Sequence, residues 1–308
     1  MTRANRWRWP LAAVLFLATF FTTTTLGAGW YLFTRVEVVT DLLPWLGPET
    51  VRRVWGDPAL LRLGLAFSLP TLCILLCHEM GHWLACRRYG LPATPPFFLP
   101  APIGLGTLGA FIRIRAPLRI RRELFDIGVA GPLAGFAALL PFLLYGVARS
   151  TPMAVAPVPP NEAIFKLLLP GGCLAIELLT RAFHGPLPSG VILELHPAAL
   201  AAWVGLLVTA LNLLPLGQLD GGHILYAATG RLQRWLAPPL WVALAIAGWF
   251  WKGWWIWCVV VLVMGLAHPP VRDELPPLGL GRVTLALLAA AIFALSFMPL
   301  PLTEVLIR

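Results

Sequence analysis

Six apolar stretches run through the chain at 11–33, 60–86, 124–148, 198–216, 236–267 and 283–300, separated by segments that hold most of the charge. A helix needs about 17–25 mainly apolar residues to cross the hydrocarbon of a bilayer. The pattern therefore predicts an all-α polytopic membrane protein. The fifth stretch is broken only at Trp251-Lys252-Gly253, so it reads either as one long tilted helix or as a helical hairpin. Six or seven transmembrane helices result. The first stretch exceeds the roughly 7–15 residues of a signal-peptide core and is expected to be a retained span.

Two segments depart from this rhythm. "GAFIRIR" (109–115) alternates apolar and polar positions, the mark of a half-buried strand. "AIFKLLLPGGCLAIELLTRAF" (163–183) holds two short apolar pieces divided by Pro170-Gly171-Gly172; it is expected to lie on the outer surface or to dip into the bilayer. At this length it cannot form a separate globular domain. Residues 1–308 are therefore expected to make a single transmembrane unit.

Composition agrees with that reading. The 308 residues are 58% hydrophobic and only 12% charged, against about 25% charged in soluble domains. The net charge of +9 does not imply nucleic acid, because no stripe combines basic and aromatic residues. The arginines sit in short segments between apolar runs. Arg87, Arg88, Arg113, Arg115, Arg119, Arg121 and Arg122 crowd the segment 87–122, which the positive-inside bias assigns to the cytoplasm together with the N-terminus. Arginine far outnumbers lysine, a trait of GC-rich bacterial genomes, and the expected location is a bacterial inner membrane, with a plastid membrane as the alternative. The tryptophans of 249–257 are expected to form an interfacial belt. The five cysteines are an odd set, mostly within apolar runs, and are expected to pack as small apolar side chains.

The chemistry is concentrated in "CILLCHEMGHWLACRR" (73–88), where His78, Glu79 and His82 interrupt an apolar helix. An unpaired carboxylate in the membrane costs several kcal/mol, so a function is expected. Histidines four residues apart share one helix face and can reach one zinc ion. Glu79 is turned about 100° from His78, where it can touch a water on the metal and act as general base. Cys86 lies roughly 12 Å along the helix from His78, too far to complete the set comfortably. The soluble zinc-protease continuations fail, since Ala85 and Arg88 stand where a glycine and a third histidine would be needed.

The third ligand is expected from another segment. Asp220 directly follows an apolar run in "LNLLPLGQLDGGHILYA", where Pro215 and Gly217 break the helix and Asn212 is a second polar group. Broken helices at membrane depth line wet cavities or are buried in protein. Asp220 is the leading candidate, with His223 the rival ligand or an outer partner.

"HEMGH" and "NLLPLGQLDGG" together resemble the site-2 protease family of intramembrane zinc metallopeptidases. "GTLGAFIRIR" (106–115) is similar to that family's membrane-associated β-hairpin, placing a hairpin near 104–116. "DIGVAGPLAGF" (126–136) and "HPPVRDELPPLG" (268–279) resemble further family stretches. The resemblance implies one Zn2+ per chain held by His78, His82 and Asp220, with Glu79 as the catalytic base. It implies that Asn212 and Pro215 shape the cleft beside the substrate, with Gly109, Phe111 and Ile112 of the hairpin as substrate-binding residues. The implied partners are the lipid bilayer and a single-span transmembrane substrate already trimmed by another protease. Many bacterial relatives insert a PDZ domain between the motifs, for which no segment here is long enough. Two competing readings are a protease open to soluble peptides and a non-catalytic protein that binds transmembrane segments; the retained Glu79 argues against the second.

Overall fold

The computed structural model describes residues 8–33, 46–118, 120–154, 165–269, 271 and 278–307. Residues 1–7, Arg35, Arg119 and the centre of the 268–279 stretch lie outside them. Helices dominate: α1 Arg8–Phe33, α2 Pro48–Gly56, α3 Pro58–Arg88, α4 Arg121–Arg149, α5 Leu174–His184, α6 Pro197–Asn212, α7 Asp220–Thr229, α8 Gln233–Ala247, α9 Gly253–Met264 and α10 Leu280–Ser296. Among them α1, α3 and α4 are long and apolar enough to cross a membrane, while α6, α9 and α10 are shorter apolar helices.

The strand content exceeds the sequence expectation. Among the described residues three two-stranded antiparallel sheets occur, not one hairpin. β1 (Phe97–Pro100) pairs with β2 (Thr107–Phe111), β3 (Thr151–Ala154) with β5 (Val191–Glu194), and β4 (Phe165–Pro170) with β6 (Leu302–Ile307). The first hairpin starts earlier than 104 because "FFLP", flanked by prolines, forms its leading strand. Its register shifts between Phe98 and Pro100, as a strand proline requires. Past β2 the exposure still alternates from Phe111 to Arg115, and Ile114 bridges Ala93.

α3 is the backbone of the fold. Asp57 caps it by accepting the Ala59 N–H at 2.8 Å, Pro58 occupies its first turn, and Arg87 and Arg88 close it. α4 and α6 pack along it, α1 covers its other side, and α7 and α10 lie on α4. α6 is buried almost end to end, including Trp203 and Leu206. With 16 residues it stops short of the expected span 198–216. The chain leaves the helix after Asn212, runs through the Pro215–Gly217 turn and resumes as α7 at Asp220. Backbone breaks of this kind persist only inside protein.

The fifth apolar stretch is a hairpin, α8 and α9 turning between Gly248 and Lys252. The tryptophans there are not simply a belt. Trp254 is fully buried, stacks on Phe297 and donates its Nε1–H to the Pro299 carbonyl at 2.9 Å, so it fastens the hairpin to the end of α10. The Pro170-Gly171-Gly172 break is also packed: Gly171 exchanges backbone contact with Pro301 and accepts the Trp203 Nε1–H at 2.8 Å.

Candidate metal centre

His78, Glu79 and His82 sit past the middle of α3 and are 3%, 7% and 8% exposed. Such burial is costly for polar groups unless they are paired. The missing partner arrives from α7, whose first residue is Asp220. The tight turn before it depends on Gly221, where a Cβ would stand 2.1 Å from the Leu213 carbonyl oxygen.

Three donor atoms converge. His78 Nε2 and His82 Nε2 are 3.2 Å apart, and each lies 3.3 Å from Asp220 Oδ2. Donors sharing one tetrahedral zinc at 2.0–2.2 Å stand about 3.3–3.6 Å from one another. The near-equilateral triangle fits a single small cation with an open fourth position, and the N/N/O donor set suits zinc. Among the described residues this is the one cluster of histidine, cysteine and acidic side chains arranged to hold a metal.

The imidazole of His82 is oriented from α4. Its Nδ1 lies 2.7 Å from the Ile127 carbonyl oxygen; donation to that carbonyl fixes the proton on Nδ1 and leaves the Nε2 lone pair for a ligand. α4 approaches this closely because its facing residues are glycines. A Cβ on Gly131 would fall 2.0 Å from His82 Nε2, and one on Gly135 would crowd His78 at 3.1 Å. Gly81 plays the reciprocal part on α3, passing against the Ala130 carbonyl.

The other expected residues divide. Asn212 ends α6 with its Nδ2 3.3 Å from His78 Nε2, and Pro215 lies half-buried in the turn between α6 and α7. Ile112, just beyond β2, brings its backbone close to the Glu79 carboxyl. Phe111 is exposed against the Phe97 ring, and Gly109 adopts a φ of +101° with open space beside it; of the three hairpin residues, Ile112 is the one that meets the site. His223 is outside the donor triangle. Its Nδ1 pairs with His268 Nε2 at 2.9 Å, and burial pulls the His268 imidazole below its usual range, favouring the neutral form.

The Ile127 carbonyl and the contact of Gly131 with His82 had no motif of their own in the sequence. Glycines spaced as Gly131 and Gly135 are ordinarily a mark of close helix packing.

The model of Peptidase family M50 matches residues 66–245, more than half of the chain, and spans both histidine and aspartate motifs. The chain belongs to Peptidase family M50, the family of the site-2 proteases. Among its relatives, the probable zinc metalloprotease EGY1, chloroplastic, of Oryza sativa subsp. japonica is 33% identical over 73% of this chain and 38% of its own length. The probable zinc metalloprotease EGY2, chloroplastic, of Arabidopsis thaliana is 36% identical over 56% of this chain and 30% of its own. The probable zinc metalloprotease EGY3, chloroplastic, of Oryza sativa subsp. indica is 28% identical over 94% of this chain and 48% of its own. The chain thus spans less than half the length of these relatives. No solved structure matches.

Proposed function

We propose that this protein is an intramembrane zinc metallopeptidase that hydrolyses a peptide bond within or near the transmembrane segment of a membrane-protein substrate. The observation that carries the reading is the His78–His82–Asp220 triangle, with donor separations of 3.2–3.3 Å, beside the buried Glu79. Family membership and the relatives named as zinc metalloproteases support it.

His78, His82 and Asp220 would hold one zinc ion, which supplies Lewis-acid activation of water and of the scissile carbonyl. Glu79, next to His78 on the helix, takes the proton from the attacking water and returns it to the leaving amine. The backbone at Ile112 lies beside that carboxyl on the hairpin side of the site. The Asn212 amide, on the opposite element, is set to donate to a substrate carbonyl approaching beside His78.

Access is the harder problem, because a peptide bond in a helix is protected by its own hydrogen bonds. β2 pairs only with β1 among the described residues, and the chain just past it, at Ile112, lies beside Glu79. That edge can receive an unwound substrate segment by strand addition, with Gly109 and Phe111 lining the approach. The partner is then a single-span membrane protein, already trimmed so that its helix can unwind.

In this reading residues 1–308 act as one protease unit. α1, α3, α4, α6 with its continuation, α8, α9 and α10 make seven passages of the bilayer, with the N-terminus cytoplasmic. The membrane is the bacterial inner membrane, whereas the relatives carry chloroplast names. Reconstituted protein should cut a lipid-embedded single-span substrate faster than a soluble peptide of the same sequence, and Glu79→Gln should cut neither. Equal cutting of both by the wild type would point instead to a site open to water.

A further inference from the structure

A side-chain clamp stands one residue away from the carbonyl that orients His82. Arg282, in the first turn of α10, sends Nε to Asp126 Oδ1 and Nη2 to Asp126 Oδ2, each at 2.7 Å. Tyr89, the residue that ends α3, donates its hydroxyl to Asp126 Oδ2 at 2.5 Å. One carboxylate on α4 thus ties together the end of α3 and the beginning of α10. The next residue along α4 is Ile127, whose carbonyl lies 2.7 Å from His82 Nδ1.

We propose that Asp126, gripped by Arg282 and Tyr89, is a positioning residue for the metal ligand His82, acting through the Ile127 carbonyl. The inference rests on the zinc reading given above. A bidentate guanidinium–carboxylate pair fixes direction as well as distance; here it holds the Asp126 carboxylate and the α4 turns that carry it against α10, while the Tyr89 hydroxyl ties the same carboxylate to the end of α3. His82 belongs to α3, but its acceptor at Ile127 and its neighbour Gly131 belong to α4. The ligand therefore keeps its place only while these two helices keep their register. Outer partners that orient a metal-bound histidine typically govern metal affinity by about 10–100-fold. The clamp also gives α10, which supplies none of the three ligands, a stake in the centre.

The mobility of the ligand, and not only the stability of the fold, is what the clamp controls, so the test reads the metal. The full chain is purified in detergent, and its zinc dissociation constant is measured by competition with a chromogenic chelator. The d–d absorption of the Co2+-loaded protein and the melting temperature are recorded alongside. Asp126→Ala should weaken zinc binding by about tenfold and shift the Co2+ band. Arg282→Ala should do so less, because Arg88 also lies within electrostatic reach of Asp126. Tyr89→Phe, which leaves the ion pair intact and so guards against loss of folding, should move affinity and band in the same direction by a smaller amount. Arg181→Ala, which breaks the exposed Arg181–Glu177 pair, should leave both unchanged. Wild-type affinity and an unshifted Co2+ band in Asp126→Ala and Tyr89→Phe would overturn the inference alone, even with lowered melting. A wild type that binds neither metal would overturn the zinc reading and the inference with it.

Discussion

Asp220 Oδ2 lies 3.3 Å from His78 Nε2 although the two residues belong to different helices, α7 and α3. The contact exists because α6 stops at Asn212 and the following turn carries α7 back toward α3. A continuous helix through 198–216 would have carried the carboxylate away along its own axis. The break that looks like a fault in a membrane helix is what assembles the donor triangle.

In the proposed mechanism, Glu79→Gln removes the base without touching a donor atom. Hydrolysis should fall by about 10²–10⁴-fold while zinc content stays at the wild-type level. Cleavage of a reconstituted substrate, followed by gel or mass spectrometry, measures the first, and metal analysis the second.

Gly131→Ala places a methyl group where His82 Nε2 now sits, at a separation of 2.0 Å. The imidazole must turn away or α4 must withdraw. Zinc retention after dialysis should drop well below that of Gly56→Ala, a substitution facing open space on α2. Equal retention in the two variants would mean that α4 does not hold His82.

Ile112→Pro deletes a backbone N–H beside Glu79 and spoils the free edge of the hairpin. Substrate cleavage should decline while zinc remains bound. Undiminished cleavage would dispose of strand addition as the way substrate is received.

Stripping the metal with a chelator should abolish hydrolysis, and added Zn2+ should restore it. Since the ion binds the folded protein, zinc at a hundredfold excess over its dissociation constant should add about 2.7 kcal/mol of stability. A thermal melt with and without chelator checks this; coincident melts would contradict a zinc-linked fold.

Much of the site was legible in the sequence because its chemistry lies in side chains that apolar helices avoid. His78, Glu79, His82, Asp220 and Asn212 each stand out against their apolar surroundings, and helical spacing alone puts the two histidines on one face. The Ile127 carbonyl carries no such mark, since a backbone acceptor is present at every residue. Gly131 belongs to a run of small residues whose ordinary meaning is close helix packing, and here close packing is how α4 reaches the imidazole. The Asp126–Arg282 pair joins segments far apart in the chain, which no local pattern can announce. Strands were missed where short apolar runs such as "FKLLLP" (165–170) fit helix and strand equally well. The α8–α9 stretch was ambiguous in the same way, until packing of Trp254 against Phe297 favoured the turn.

The most direct test of the central claim is the zinc content of the detergent-purified protein, compared among wild type, Asp220→Ala and Glu79→Gln. The account predicts one zinc per chain in the wild type, full retention in Glu79→Gln and weakened binding in Asp220→Ala. A carefully prepared wild type without zinc, or an Asp220→Ala variant that holds it as firmly as the wild type, would contradict the two-segment metal centre.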